Sequence, residues 1–119
     1  EKYIYMKYWD NSGFLARIED KGITVLLEWD AYLALDICET LNESNKFFLY
    51  SRNTGKVWLV DSKREVIDEL DLRCSNLRHM LVDNKNENIL YELYQQNGSC
   101  KVYYQPIGEI DILSSYSLR

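Results

Sequence analysis

Phe47-Phe48-Leu49-Tyr50-Ser51-Arg52-Asn53-Thr54-Gly55-Lys56-Val57-Trp58-Leu59-Val60-Asp61, residues 47–61, decides the fold class of this chain. Two runs of β-formers flank an Asn-x-Gly turn. Asn and Gly tolerate the positive φ that such a reversal needs. Residues 47–51 run up to the turn and residues 56–61 run back. The same order of run, turn, run, polar turn and run recurs around Asn11-Ser12-Gly13 and around Asn86-Glu87-Asn88.

Upstream, residues 3–9 alternate. Ile4, Met6 and Tyr8 face one way, and Tyr3, Tyr5, Lys7 and Trp9 the other. Residues 14–19 and 23–28 follow, reversed at Asp20-Lys21-Gly22. Downstream come 77–83, 89–95 and 99–105, the last two joined at Asn97-Gly98, and a closing strand at 110–116. Residues 65–72 carry both signals. Ser62-x-x-Glu65 matches a capping box, but the register of the repeat favours a strand, and a strand is expected. Repeated three-strand units are a sign of propeller blades. Three cannot close a propeller of ordinary size, and the small menu of turn chemistry is enough to make three reversals look alike.

One stretch breaks the pattern. In residues 30–43, Leu33, Ala34, Ile37, Cys38 and Leu41 recur at helical spacing behind Asp30, a plausible N-cap. Tyr32, Asp36, Glu39 and Glu43 fall on the opposite face, and no basic residue occurs from Glu28 to Glu43. The expected fold is therefore mainly β with some α+β character. An antiparallel meander of about eight or nine strands forms a curved sheet or partly open barrel, crossed by one amphipathic helix at 30–43.

The chain has 119 residues, which sets one domain, 1–119, able to bury a core without staples. A net charge of −5 argues against sequence-independent nucleic-acid binding, which needs clustered Lys and Arg, and suits a basic protein partner. No run approaches the ~18 apolar residues of a membrane-spanning helix. Three widely spaced cysteines, Cys38, Cys74 and Cys100, read as reduced thiols of a cytoplasmic protein.

Catalytic and metal-binding kits are missing from the pattern. His79 is the only histidine, so any Ser-His-Asp or Cys-His mechanism must use it. It alternates with Leu77 and Leu81 on a strand, as a core or half-buried histidine does. Cys38, Cys74, Cys100 and His79 match a structural zinc site in number but not in spacing. No Gly-rich phosphate loop, EF-hand or H-E-x-x-H is present. No enzyme activity, metal or cofactor is expected.

Two acidic groups remain: Asp36, Glu39 and Glu43 with Tyr32, and Glu65, Asp68, Glu69 and Asp71. With ten tyrosines and three tryptophans available for contacts, they suggest a docking surface for a cationic protein. The expected function is a small acidic inhibitor, a bacterial immunity protein that binds and neutralises a basic, nuclease-type toxin. Two alternatives stand beside it. One is a barrel-like small-molecule binder lined by Trp58, Tyr91 and Tyr104; the other is a subunit of a larger β-rich assembly.

Overall fold

The computed structural model describes residues 2–40 and 46–118. Among the described residues the chain forms three β-sheets and no α-helix. The first sheet is β1 (Lys2–Lys7), β2 (Gly13–Glu19) and β3 (Gly22–Trp29), paired consecutively. Two short strands follow, β4 (Asp36–Ile37) and β5 (Glu39–Thr40). The chain then makes the meander β6 (Lys46–Tyr50), β7 (Lys56–Asp61) and β8 (Val66–Asp71). A third meander is β9 (Leu77–Asp83), β10 (Asn88–Tyr94) and β11 (Cys100–Pro106). After a 3-10 turn at Ile107–Glu109, β12 (Asp111–Ser117) returns to pair with β8. The second sheet thus has the order β12-β8-β7-β6-β4, and the third β11-β10-β9-β5. Every pairing is antiparallel except that of β5 with β9.

The second sheet is the middle layer of a stack. Along β7 the side chains alternate between two cores. Val57 and Leu59 pack toward the third sheet with Met80, Val82 and Ile89, while Trp58 and Val60 pack toward the first sheet with Leu15 and Trp29. Phe48 and Leu49 on β6, and Leu70 and Ile67 on β8, divide in the same way. Successive strand residues point to opposite faces, so a strand covered on both sides must be apolar at every position. That accounts for the unbroken run Val57-Trp58-Leu59-Val60. The expected single curved sheet or partly open barrel is therefore corrected to three stacked sheets, none of them closed.

The helix expected at 30–43 is also corrected. Asp30 does cap a turn, its carboxylate accepting the Leu33 N–H at 2.8 Å and its carbonyl the Ala34 N–H at 3.1 Å. Ala34 then takes φ 47°, which no right-handed helix continues through. Beyond it Leu35 and Cys38 are buried in different cores, Leu35 against the first sheet and Cys38 against the third. An extended chain running past the edge of the stack reaches both, whereas a helix would put both near one face. Asp36 and Ile37 pair with Tyr50 and Leu49, and Glu39 and Thr40 with Leu81 and Val82. Residues 41–45 lie outside the described residues. Residues 66–71 are a strand, as the repeat register indicates, and not the helix that the capping-box pattern allows.

The three look-alike turns are built differently. Positive φ falls on Asn11 in the first, on Gly55 in the second and on Glu87 in the third. The recurrence is in the meander and not in a repeated turn conformation. Among the described residues no helix is long and apolar enough to cross a membrane.

Candidate docking face

The first sheet packs one face on the middle sheet. Cross-strand rows Tyr5–Leu15–Leu27 and Tyr3–Arg17–Thr24 point inward, and Tyr3, Tyr5, Leu15 and Leu27 enter the shared core. Tyr5 stacks on Trp29 with centroids 5.7 Å apart, and Tyr3 meets Phe47 edge-on at 5.1 Å. A bulge at Leu15/Ala16 absorbs one extra residue of β3 and keeps Trp29 on the inner face opposite Gly13. A Cβ on Gly13 would stand 2.7 Å from the Trp29 ring, so only glycine fits under it.

The other three rows form the outer face: Met6–Phe14–Glu28, Ile4–Ala16–Val25 and Lys2–Ile18–Ile23. Seven of these nine residues are apolar, with Lys2 and Glu28 at diagonally opposite corners. Met6, Ile18, Val25 and Ile23 are 42, 44, 46 and 52 % exposed, and among the described residues none of them belongs to either core. Tyr8 lies against Phe14 at one end, and Trp9 beyond it is almost fully exposed. A contiguous apolar surface of this kind on one sheet marks an interaction site. The outer face of the third sheet is mixed, with the row Leu81–Leu90–Tyr104 and the exposed Val102 beside polar residues. There His79, Glu92, Arg78 and Tyr94 surround a shallow polar depression with Arg52, and Arg78 pairs with Glu92 at 3.2 Å.

The acidic positions are dispersed. Asp36 sits on the short edge strand β4, held by Lys7 at 2.5 Å and Arg52 at 3.2 Å. Tyr32 is exposed in the preceding turn, where its carbonyl accepts the Asn53 side-chain amide. Glu39 pairs by its backbone with Leu81, and Glu43 lies outside the described residues. Asp68 and Glu69 occupy adjacent positions of β8 and so point to opposite faces of the middle sheet. Asp68 is buried against Arg64 at 2.9 Å and Ser115 at 2.5 Å. Glu69 takes the Ser114 hydroxyl at 2.8 Å and stands 3.7 Å from Lys56. Asp71 accepts the Arg73 N–H at 2.8 Å, and Glu65 stands in a turn with φ 56°.

No family model, characterised protein or solved structure gives a significant match to this chain.

The aromatic residues suggested for a ligand cavity do not share one. Trp58 is buried between the first and middle sheets, and Tyr91 stacks on Tyr103 at 5.7 Å beside the other core. Tyr104 is exposed on the third sheet. A cleft near Lys46, Leu59, Arg64, Ile107 and Ile110 opens beside β8; Asp68, paired with Arg64, and Glu87 also line it. Among the described residues no buried side-chain nitrogen or oxygen lacks a hydrogen-bond partner, and no three metal-ligating side chains converge. The Cys38 Sγ donates to the Met80 carbonyl at 3.4 Å, Cys74 is half-buried with its thiol pushed up by burial, and Cys100 is exposed.

Turns and charge pattern carry no sign of the outer face of the first sheet. The signal was in the strands: Tyr3-Ile4-Tyr5-Met6, Phe14-Leu15-Ala16 and Val25-Leu26-Leu27 are apolar on both sides of the pleat, as the middle sheet is.

Proposed function

We infer that this chain is an interaction module, a subunit of a larger β-rich assembly, and that it docks through the outer face of its first sheet. One observation carries this reading: a three-stranded face has seven apolar residues out of nine, of which Met6, Ile18, Ile23 and Val25 are exposed around a buried Ala16, on strands whose sequence is that of a sheet covered on both sides. The reading of the chain as an acidic inhibitor of a basic toxin draws on carboxylates ready to meet a cationic partner. Asp36, Asp68 and Glu69 already have cations of this chain beside them, so the open apolar face is the better-supported surface.

The test uses a solvatochromic apolar dye such as bis-ANS on the folded protein. Wild type is expected to bind the dye in its native state. Ile18→Lys combined with Val25→Lys is expected to remove most of that signal while leaving the far-UV spectrum intact. Both positions are half exposed, so lysine there can reach water. A native protein that ignores the dye, or a signal untouched by the double substitution, would refute the docking face.

A further inference from the structure

Resting on the docking reading above, we propose that the layer covering the first sheet is the first sheet of a second copy of this chain, crossed at about a right angle. Two charges stand on this otherwise apolar face, and their placement fits a second copy. Lys2 ends one outer row on β1, and Glu28 ends the opposite outer row on β3. Both are exposed, and neither has an ion-pair partner among the described residues.

A symmetric pair of faces is related by a two-fold axis lying in the interface, so every contact occurs twice. An axis along the strands sets Lys2 over the partner's Ile23. An axis across the strands sets it over Met6. Each buries a charge on an apolar side chain. An axis at about 45° to the strands, close to the Met6–Ile23 diagonal, brings Lys2 to within about 3 Å of the point over Glu28, and it does so at both ends. The same operation lays Ile4 on Phe14 and Val25 on Ile18, and brings Met6 and Ile23 each against its own copy. Same-face residues are about 6.8 Å apart along a strand and strands about 4.8 Å apart, so the nine positions form a patch compact enough to cross at right angles. The diagonal arrangement leaves no charge without a counter-charge and no polar residue in the centre.

The patch is small. Three strands of seven residues cover on the order of 350 Å², well below the roughly 800 Å² per partner of a standard stable interface. The dimer is therefore a weak one, with a dissociation constant on the order of 10–100 μM.

The decisive experiment is sedimentation equilibrium from about 1 μM to about 1 mM, under reducing conditions because Cys100 is exposed. Wild type is expected to show a reversible monomer–dimer equilibrium. Lys2→Glu and Glu28→Lys, each alone, place like charges together twice and should weaken it roughly tenfold or more. The two together restore the pairing and should return the constant to within about threefold of wild type. Ile23→Lys puts two ammonium groups on the two-fold axis and should leave only monomer. A dimer indifferent to these changes, or open-ended association, would overturn the proposal. A wild-type monomer at the highest concentration would also overturn it. In that case a persisting dye signal that Ile18→Lys with Val25→Lys removes leaves the docking face intact for another partner; without that signal the docking reading falls as well.

Discussion

Gly55 stands at φ 70° in the turn between β6 and β7, and a Cβ there would sit 2.0 Å from the Cys74 carbonyl oxygen. Its own carbonyl accepts the Leu72 N–H at 3.1 Å, which ties the end of β8 to this turn. Gly55→Ala combines left-handed backbone cost with a backbone clash that no side-chain motion relieves. It should lower stability by at least ~2 kcal/mol in urea unfolding, and a loss below ~0.5 kcal/mol would show that the Cys74 segment yields easily. Arg64 makes a second residue-scale test. Its guanidinium bridges Asp61 at 2.6 Å and Asp68 at 2.9 Å, two carboxylates that are 2 and 4 % exposed. Burial pushes the Asp61 carboxyl up, but the Arg64 side chain and its backbone N–H outweigh this and hold it below its ordinary value. Arg64→Met takes the bridging guanidinium from two buried carboxylates and leaves them their backbone N–H and Ser115 hydrogen bonds. The cost near neutral pH should be about 2 kcal/mol, less than for a fully enclosed pair because the guanidinium is half exposed. A carboxyl lowered on folding contributes stability above its unfolded pKa, near 4, and that stability is lost as pH falls through the folded value. The gap between wild type and Arg64→Met should therefore shrink between neutral pH and pH ~3. A gap that is constant across that range would sever the link to Asp61.

At the scale of elements, the β-hairpins were legible because turn chemistry and β-formers are local signals. The expected reversals at Asn11, Asn53, Asn86 and Asn97 all join strands that pair. The alternation along residues 3–7 was legible for the same reason, with Tyr3 and Tyr5 in the core and Met6 outside. Residues 30–40 misled because apolar positions three and four apart fit a helix face, while burial of Leu35 and Cys38 in separate cores is a long-range fact. Edge pairing with β6 and β9 supplies the backbone hydrogen bonds that a helix would have made internally. Ala34 separates the two conformations by sign. In a helix, Ala34→Gly would cost about 1 kcal/mol. At φ 47° it should instead stabilise by about 0.5 kcal/mol, since relief of the left-handed strain exceeds the added freedom of the unfolded chain. A clear destabilisation in chemical unfolding would bring the helix back.

For the whole molecule, stacking order determines which surfaces are left over. The central strands β6, β7 and β8 of the middle sheet pack into both cores, and its buried carboxylates, Asp61 and Asp68, are bridged by Arg64. The third sheet keeps a mixed outer face, with Arg78 and Glu92 paired across β9 and β10 beside the exposed Val102 and Tyr104. Among the described residues, the first sheet combines a covered face with an outer face apolar at seven of nine positions, more than the outer face of the third sheet carries. Which sheets would meet was not legible, because it depends on the pairing of β12 with β8 and on the two short strands β4 and β5, none of which leaves a local mark. The acidic residues read as a surface for the same reason: their cations, Lys7, Arg52 and Arg64, reach Asp36 and Asp68 only after folding. An open face has a thermodynamic consequence that needs no partner protein. If a second copy covers it, the folded state is linked to concentration by mass action, whereas the unfolded chain is not. The melting temperature should then rise by a few degrees between roughly 5 μM and 500 μM, since each kcal/mol moves a domain of this size by about 4 °C. Ile23→Lys should make the melting temperature independent of concentration while matching wild type at the dilute end, because Ile23 is half exposed in the monomer. A flat wild-type series over that range would mean that no second copy stabilises the native state, and the face would have to be filled by a different β-sheet or remain bare.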